Sequence, residues 1–276
     1  MLIPPFVAVR HASRPKYLAV MLIQIQQGIA YPIGTLIDVL TSLLSIATVY
    51  YLWRTIFVAQ PQIAGLDWRE MQAYVLLSNA IFALLGATSM REMMNAIRTG
   101  AITTDLLRPY SYIVGQFSQV VGRMLTQGIV SSAVTILVGC VLVRMALPPS
   151  PRVAGLFLLS IMLSFLISFL LNFLLAILCF WTKDSEGLLW AQGIISFIFS
   201  GGMVPLSFLP NWVQIIAFAL PFQGMIYTPL QIYRGALFGW DLWAALGLQG
   251  VWIGILMVLV QFLWRRGLRA VELGGG

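Results

Sequence analysis

The sequence predicts an all-α integral membrane protein with six transmembrane helices, a surface helix ahead of the first and a broken hairpin ahead of the last. Three observations carry this. The chain has 276 residues, of which 60% are hydrophobic and 9% charged, with a mean hydropathy of +0.92; an ordinary soluble domain is about a quarter charged. Apolar runs recur at lengths near the roughly 20 residues that cross hydrocarbon. The basic residues sit mainly at the ends of those runs, where orientation in a membrane needs them.

The first element is a leader and surface helix, residues 1–30. Ser13 and Pro15 supply a helix start. Leu18, Met21, Leu22, Ile25 and Ile29 then recur at spacings of three and four, with Gln24, Gln26 and Gln27 largely elsewhere. This pattern fits a helix lying in the interface; the alternative is an extension of the first span. The order of basic start, apolar core and small-residue cleavage site is missing, so the first span is expected to stay in the mature protein.

The membrane domain covers 31–264, with spans near 31–53, 71–90, 115–143, 155–180, 188–204 and 242–264. The fifth is short and ends at Gly201-Gly202. Residues 203–232 are apolar but interrupted by Pro205, Pro210, Pro221 and Pro229, and the run Trp212–Leu220 is too short to span. Helical pieces that enter the membrane and return fit this stretch, and such broken backbone needs protein or water around it. The alternative is a seventh span, with the C-terminus on the other side. Residues 265–276 form a tail.

Charge favours six spans. With both termini inside, the inner side holds Arg10, Arg14, Lys16, Arg91, Arg98, Arg108, Lys183, Arg265, Arg266 and Arg269, and the outer side Arg54, Arg69, Arg144, Arg152 and Arg234. That bias is the positive-inside pattern. Trp53, Trp68, Trp181, Trp190, Trp240, Trp243 and Trp264 fall near predicted helix ends, as interfacial anchors do.

The same inventory excludes several functions. The net charge of +7 belongs to orientation and not to nucleic acid. Cys140 and Cys179 both lie in apolar runs and read as small buried side chains. His11 is the single histidine, so neither a zinc cluster nor a histidine-activated serine is available. No Gly-x-x-x-x-Gly-Lys-Ser/Thr loop is present, so uphill transport would draw its energy from a partner or an ion gradient. No catalytic residue and no metal ligand is assigned.

The segment 91–110 is the informative polar patch. Residues 91–99 suit a short cytoplasmic helix with Met90, Met93, Met94 and Ile97 on one side and Arg91, Asn95 and Arg98 on the other. Gly100 fits a left-handed cap, and Pro109 stops helix at Arg108. The run Gly100-Ala101-Ile102-Thr103-Thr104-Asp105-Leu106-Leu107-Arg108-Pro109 resembles the Gly-x-Ile/Leu-x-x-x-Leu-Leu-Arg-Pro signature of permease subunits of bacterial type-2 ABC exporters. The surface helix and the proline-broken hairpin also resemble that class. The resemblance implies the type-2 exporter fold in the bacterial plasma membrane, with both termini cytoplasmic. It also implies a dimer with an identical or sibling permease and two cytoplasmic ATPase subunits that bind the ATP and Mg. Within it, Arg91, Glu92, Arg98, Gly100, Asp105, Arg108 and Pro109 are expected to contact the ATPase or fix the loop. The alternative is a charged loop that anchors the ends of spans two and three, and Arg108 alone can snorkel to headgroups. Lys183, Asp184 and Glu186 form a second contact or an ordinary turn.

Inside the membrane, Asp38 and Arg123 fall at similar depth. Isolated charges there are costly, so the two are expected to pair, within one subunit or across the dimer; independent snorkelling is the alternative. A proton-coupled carrier would also use such an acid. Asn172 and Gln192 either line a cargo path or join helices, and Phe197, Phe199, Met203, Phe208, Trp212 and Phe218 enrich the outer end of span five and the re-entrant hairpin, a trace that aromatic residues facing lipid would also leave. The resemblance associates that region with the pathway, which would suit a hydrophobic or amphiphilic cargo. A structural membrane subunit without a pathway is the remaining alternative. Ser160, Ser164 and Ser168 make a ridge that allows close helix approach.

Overall fold

The computed structural model describes residues 16–143, 150–182 and 186–274. Twelve helices and one small β-hairpin follow in order among these residues. Helix α1 is Lys16–Ala30 and α2 is Pro32–Ala59. Tyr31 leaves helical geometry and Pro32 opens the next helix, so α1 is a separate element and not an extension of the first span.

Strands β1 (Gln62–Ile63) and β2 (Leu66–Asp67) pair antiparallel, Gln62 opposite Asp67 and Ile63 opposite Leu66. Ala64 and Gly65, both at positive φ, make the two-residue turn. Helix α3 (Trp68–Gly86) starts on a capping box: the Asp67 carboxylate accepts from the Glu70 amide and the Glu70 carboxylate accepts from the Asp67 amide. Helices α4 (Arg91–Thr99) and α5 (Ile102–Leu106) follow.

The next rod is continuous but not uniform. Helix α6 (Tyr112–Arg123) passes through a π-helical turn, Met124–Gly128, into α7 (Ile129–Val143). Helix α8 is Pro151–Thr182 and α9 is Glu186–Phe199. Residues 200–238 hold two 3₁₀ turns, α10 (Asn211–Ala219) and α11 (Tyr227–Tyr233). Helix α12 is Gly239–Gly274, so the backbone stays helical through most of the expected tail.

Among the described residues, five helical stretches, not six, are long and apolar enough to cross a membrane: Ile33–Ala59, Trp68–Thr99, Tyr112–Val141, Pro151–Thr182 and Gly239–Arg269. The expected fifth span is shorter than its prediction. Helix α9 has 14 residues, about 21 Å at 1.5 Å per residue, against a hydrocarbon core of about 30 Å. It ends because Gly201 takes a left-handed φ of 78° and its carbonyl accepts the Tyr74 hydroxyl of α3.

The core forms around α3 and α8. Helix α12 packs along α8, and the buried serine ridge divides: Ser160 and Ser164 meet Gln249 of α12, while the Ser168 hydroxyl meets Thr88 after α3 at 2.8 Å. Ser164 donates to the Gly224 carbonyl at 2.7 Å, and Gln249 of α12 donates to the same carbonyl at 2.7 Å. The ridge thus admits the helix and also fastens the proline-broken segment. Helix α2 is peripheral: Ile33, Leu36, Ile37, Leu40 and Leu44 stay exposed. Cys140 is exposed on α7, contrary to the buried reading, because an apolar run that faces lipid needs no protein cover; Cys179 is buried as expected, and both are free thiols.

Candidate functional site

The segment 91–110 folds as a helix, a glycine and a second short helix. Met93 and Met94 are buried, Met90 packs with them, and Ile97 sits against the same core. That apolar side holds α4 to α8. Gly100 caps α4 at φ 77°, ψ −3°, the left-handed cap the sequence called for. Ile102 then turns inward, fully buried, while Leu107 is 85% exposed.

Local bonds brace the Leu-Leu-Arg-Pro end. Arg108 pairs with Asp105 at 3.0 Å and donates to the Tyr110 hydroxyl at 3.2 Å. The Tyr110 hydrogen bond, with the Asp105 charge behind it, raises the pKa of the guanidinium further above neutral. The Pro109 carbonyl accepts Lys16 at 3.0 Å, and the Tyr17 hydroxyl accepts the Ser111 amide at 3.1 Å. The start of α1 is therefore tied to the end of the loop, a link with no sequence signal. Arg98 is exposed on α4.

The two expected cytoplasmic contacts meet. Arg91 at the start of α4 and Glu186 at the start of α9 form an ion pair at 2.7 Å. Lys183 and Asp184 lie outside the described residues. Arg91 also edges a 370 Å³ cavity between α3 and α9, with Phe82, Trp190, Gly193 and Phe197 on its walls.

Arg123 does not pair with Asp38 within the chain, which corrects the expectation for one subunit. Its Nε donates to the Ala87 carbonyl at 3.3 Å, its Nη2 to the Ser89 carbonyl at 2.9 Å, and its Nη1 meets Glu92 at 3.4 Å. The physical reason is the end of α3. Terminal helix carbonyls lack intrahelical donors and carry partial negative charge, and Glu92 stands beside them, so a guanidinium reaching there is satisfied locally. Asp38 instead is exposed on α2 and lines a 200 Å³ cavity with Thr41, Ser42, Gln127 and Ser131.

The expected pathway residues divide. Asn172 is buried and donates to the Thr88 hydroxyl at 2.9 Å and the Ser168 carbonyl at 2.8 Å, so it joins α8 to the end of α3. An amide between two packed helices satisfies itself there. Phe208 stacks edge-on against Trp53, whose indole donates to the Met203 carbonyl at 3.3 Å; both fasten the region after α9 to α2. Phe197 lines two cavities and meets Phe82 edge-on. Gln192 and Phe199 are half-buried on α9.

Residues 43–275 match the family described as ABC-2 family transporter protein. The chain belongs to that family. No match is found among curated proteins.

The ABC-2 assignment makes this chain a membrane-embedded, non-catalytic transport component, as the missing catalytic and nucleotide-binding motifs led one to expect. Proteins of the ABC-2 family generally partner with ABC ATPase subunits. The proton-coupled alternative loses its main support, because Asp38 is exposed and not an enclosed acid. Among the described residues no group of three or more His, Cys, Asp or Glu side chains is placed to hold a metal. Sequence reasoning passed over Gln249, Ser131 and Gln127. A long-range amide bond and a buried hydroxyl beside a cavity leave no local pattern.

Proposed function

We propose that this chain is the permease subunit of an ATP-driven exporter of the Leu-Leu-Arg-Pro subgroup, in a bacterial inner membrane with both termini cytoplasmic. In this reading α9 and the broken segment after it together complete a sixth crossing and a re-entrant hairpin. Helix α1 lies in the interface. Two permeases, identical or sibling, associate through the exposed side of α2.

One observation carries the reading: segment 91–110 buries one side in the core and holds Arg98, Leu107 and Arg108 outward on a braced frame. A large apolar residue flanked by arginines on a fixed frame suits the cleft of an ATPase, and bracing lets closure of that cleft push on α3 and α6. Gly100, Asp105 and Pro109 fix the frame. Arg91, Glu92 and Glu186 link it to α9 and α6. The cargo in this reading is amphiphilic and leaves the cytoplasm or the inner leaflet.

Co-expression with the ABC ATPase encoded nearest to it tests the proposal. The ATPase is expected to co-purify, and Leu107→Asp with Arg98→Glu to release it while the permease keeps its helical circular dichroism. Stoichiometric ATPase retained by that double variant would refute the coupling assignment.

A further inference from the structure

The 200 Å³ cavity at Asp38 does not stand alone. A second cavity, 240 Å³, shares Thr41, Ser42 and Ala83 with it and continues along α2 to Asn79, Phe82 and Phe197. The two make one furrow between α2, α3, the π-helical turn and the end of α9. One end holds a carboxylate and hydroxyls. The other holds an edge-to-face pair of phenyl rings, Phe82 and Phe197, with centroids 5.8 Å apart.

Two features of the carboxylate end point to a ligand. Ser131 is 2% exposed and lines the cavity, yet its hydroxyl meets no hydrogen-bond partner among the described residues. A buried hydroxyl without a partner costs about 1–3 kcal/mol; its oxygen is shut off from solvent, so a head group that draws it round into the cavity is favoured. Asp38 forms no salt bridge among the described residues, since Arg123 is taken up by Glu92 and the end of α3. A carboxylate on a lipid-embedded helix is costly until a cation joins it. The π-helical turn contributes to the shape, because Gln127 and Gly128 within it both line the cavity.

We propose that this furrow binds an amphiphilic organic cation, its charged head at Asp38 and Ser131 and its apolar or aromatic body at Phe82 and Phe197. A metal ion is a poorer fit, since hard cations take several oxygen ligands and the cavity walls supply one carboxylate. A primary ammonium head donates to one carboxylate and one hydroxyl, and the phenyl pair at the far end covers the apolar or aromatic body. The inference deepens the exporter reading by naming a cargo class, but its test needs no ATPase.

The test is calorimetric titration of the purified chain in lipid nanodiscs with 2-phenylethylammonium, whose primary ammonium carries three N–H donors, and with its neutral carbon isostere, propylbenzene. The cation is expected to bind and the isostere to bind at least tenfold more weakly. Asp38→Asn is expected to weaken the cation at least tenfold without affecting the isostere, and Asp38→Glu to keep most of the affinity. Ser131→Ala should weaken the cation several-fold and guards against a misfolded Asp38 variant. Equal binding of the two probes, or of the cation to wild type and to a folded Asp38→Asn chain, overturns the site. So does a result in which Asp38→Asn only dissociates a permease dimer. Failure here with the ATPase still bound removes the cargo class and leaves the exporter reading; loss of the ATPase with cation binding intact does the reverse.

Discussion

Arg91 Nη1 and Glu186 Oε1 lie 2.7 Å apart, joining the starts of α4 and α9 across 95 residues of chain. Arg91 begins α4 and Glu186 begins α9, so the pair links the two helices directly; under the proposed coupling role it would carry movement of α4 to α9. Both side chains are about half exposed (56% and 55%), which makes the pair worth about 0–1 kcal/mol. Its value is therefore positional. Arg91→Glu is expected to leave thermal stability nearly unchanged while lowering ATPase-coupled transport several-fold. The swap Arg91→Glu with Glu186→Arg should restore most of it. A single variant with full transport would show that the pair transmits nothing.

Gly100 should be the most sensitive small residue of the loop. Its φ of 77° lies in the left-handed region, and an added Cβ would meet nothing within 4 Å. The penalty for a substitution is therefore conformational alone, about 1–2 kcal/mol for an L-residue with a Cβ. Gly100→Val is expected to lower thermal stability and loosen the Leu-Leu-Arg-Pro frame, and Gly100→Asn to do so less, because Asn tolerates this conformation. Equal melting of the Asn and Val variants would contradict a backbone origin.

Much of this loop was legible in advance because its determinants are local. The methionine spacing, the cap glycine and the proline stop each act within a few residues, and α4 forms where they place it, at Arg91–Thr99. The start of α3 was legible too, in Asp67 and Glu70 three apart, though apolar spacing alone set it at 71. Long-range choices were not legible. Arg123 had two acids to choose from, and the nearer one was decided by how α3 ends. The π-helical turn at Met124–Gly128 and the unpartnered Ser131 hydroxyl have no pattern in the chain. The length of α9 was misread because its apolar run continues past the turn that Gly201 makes against Tyr74.

Arg123 is expected to act as a positioning residue between α6 and α4. Its side chain is 16% exposed, and three of its nitrogens serve the end of α3 and Glu92, itself 80% exposed. Most of its worth lies in the two carbonyls, since the exposed carboxylate is well screened. Arg123→Met removes those donors and should cost about 1–3 kcal/mol; Arg123→Lys should recover part, lacking the forked geometry. Glu92→Gln is expected to cost far less. Thermal melts of the three variants in one detergent give the order, and a Glu92→Gln loss as large as that of Arg123→Met would move the weight from the carbonyls to the ion pair.

Gln249 holds the proline-broken segment to the helices. Its amide donates to the Gly224 carbonyl at 2.7 Å, and its Oε1 accepts Ser160 at 3.0 Å. Ser164 donates to the same Gly224 carbonyl, so that oxygen keeps one partner when the glutamine is lost. Hydrogen bonds between membrane helices average about 0.6 kcal/mol with a maximum near 1.7. Gln249→Leu is therefore expected to cost less than about 2 kcal/mol overall. Gln249→Leu with Ser164→Ala leaves the carbonyl bare and should lose more than the sum of the single variants. The readout is limited proteolysis: cleavage between 205 and 226 should speed up in the double variant before α8 or α12 is cut. Uniform cleavage along the chain would mean that the network stabilises the whole bundle and not the attachment of this segment.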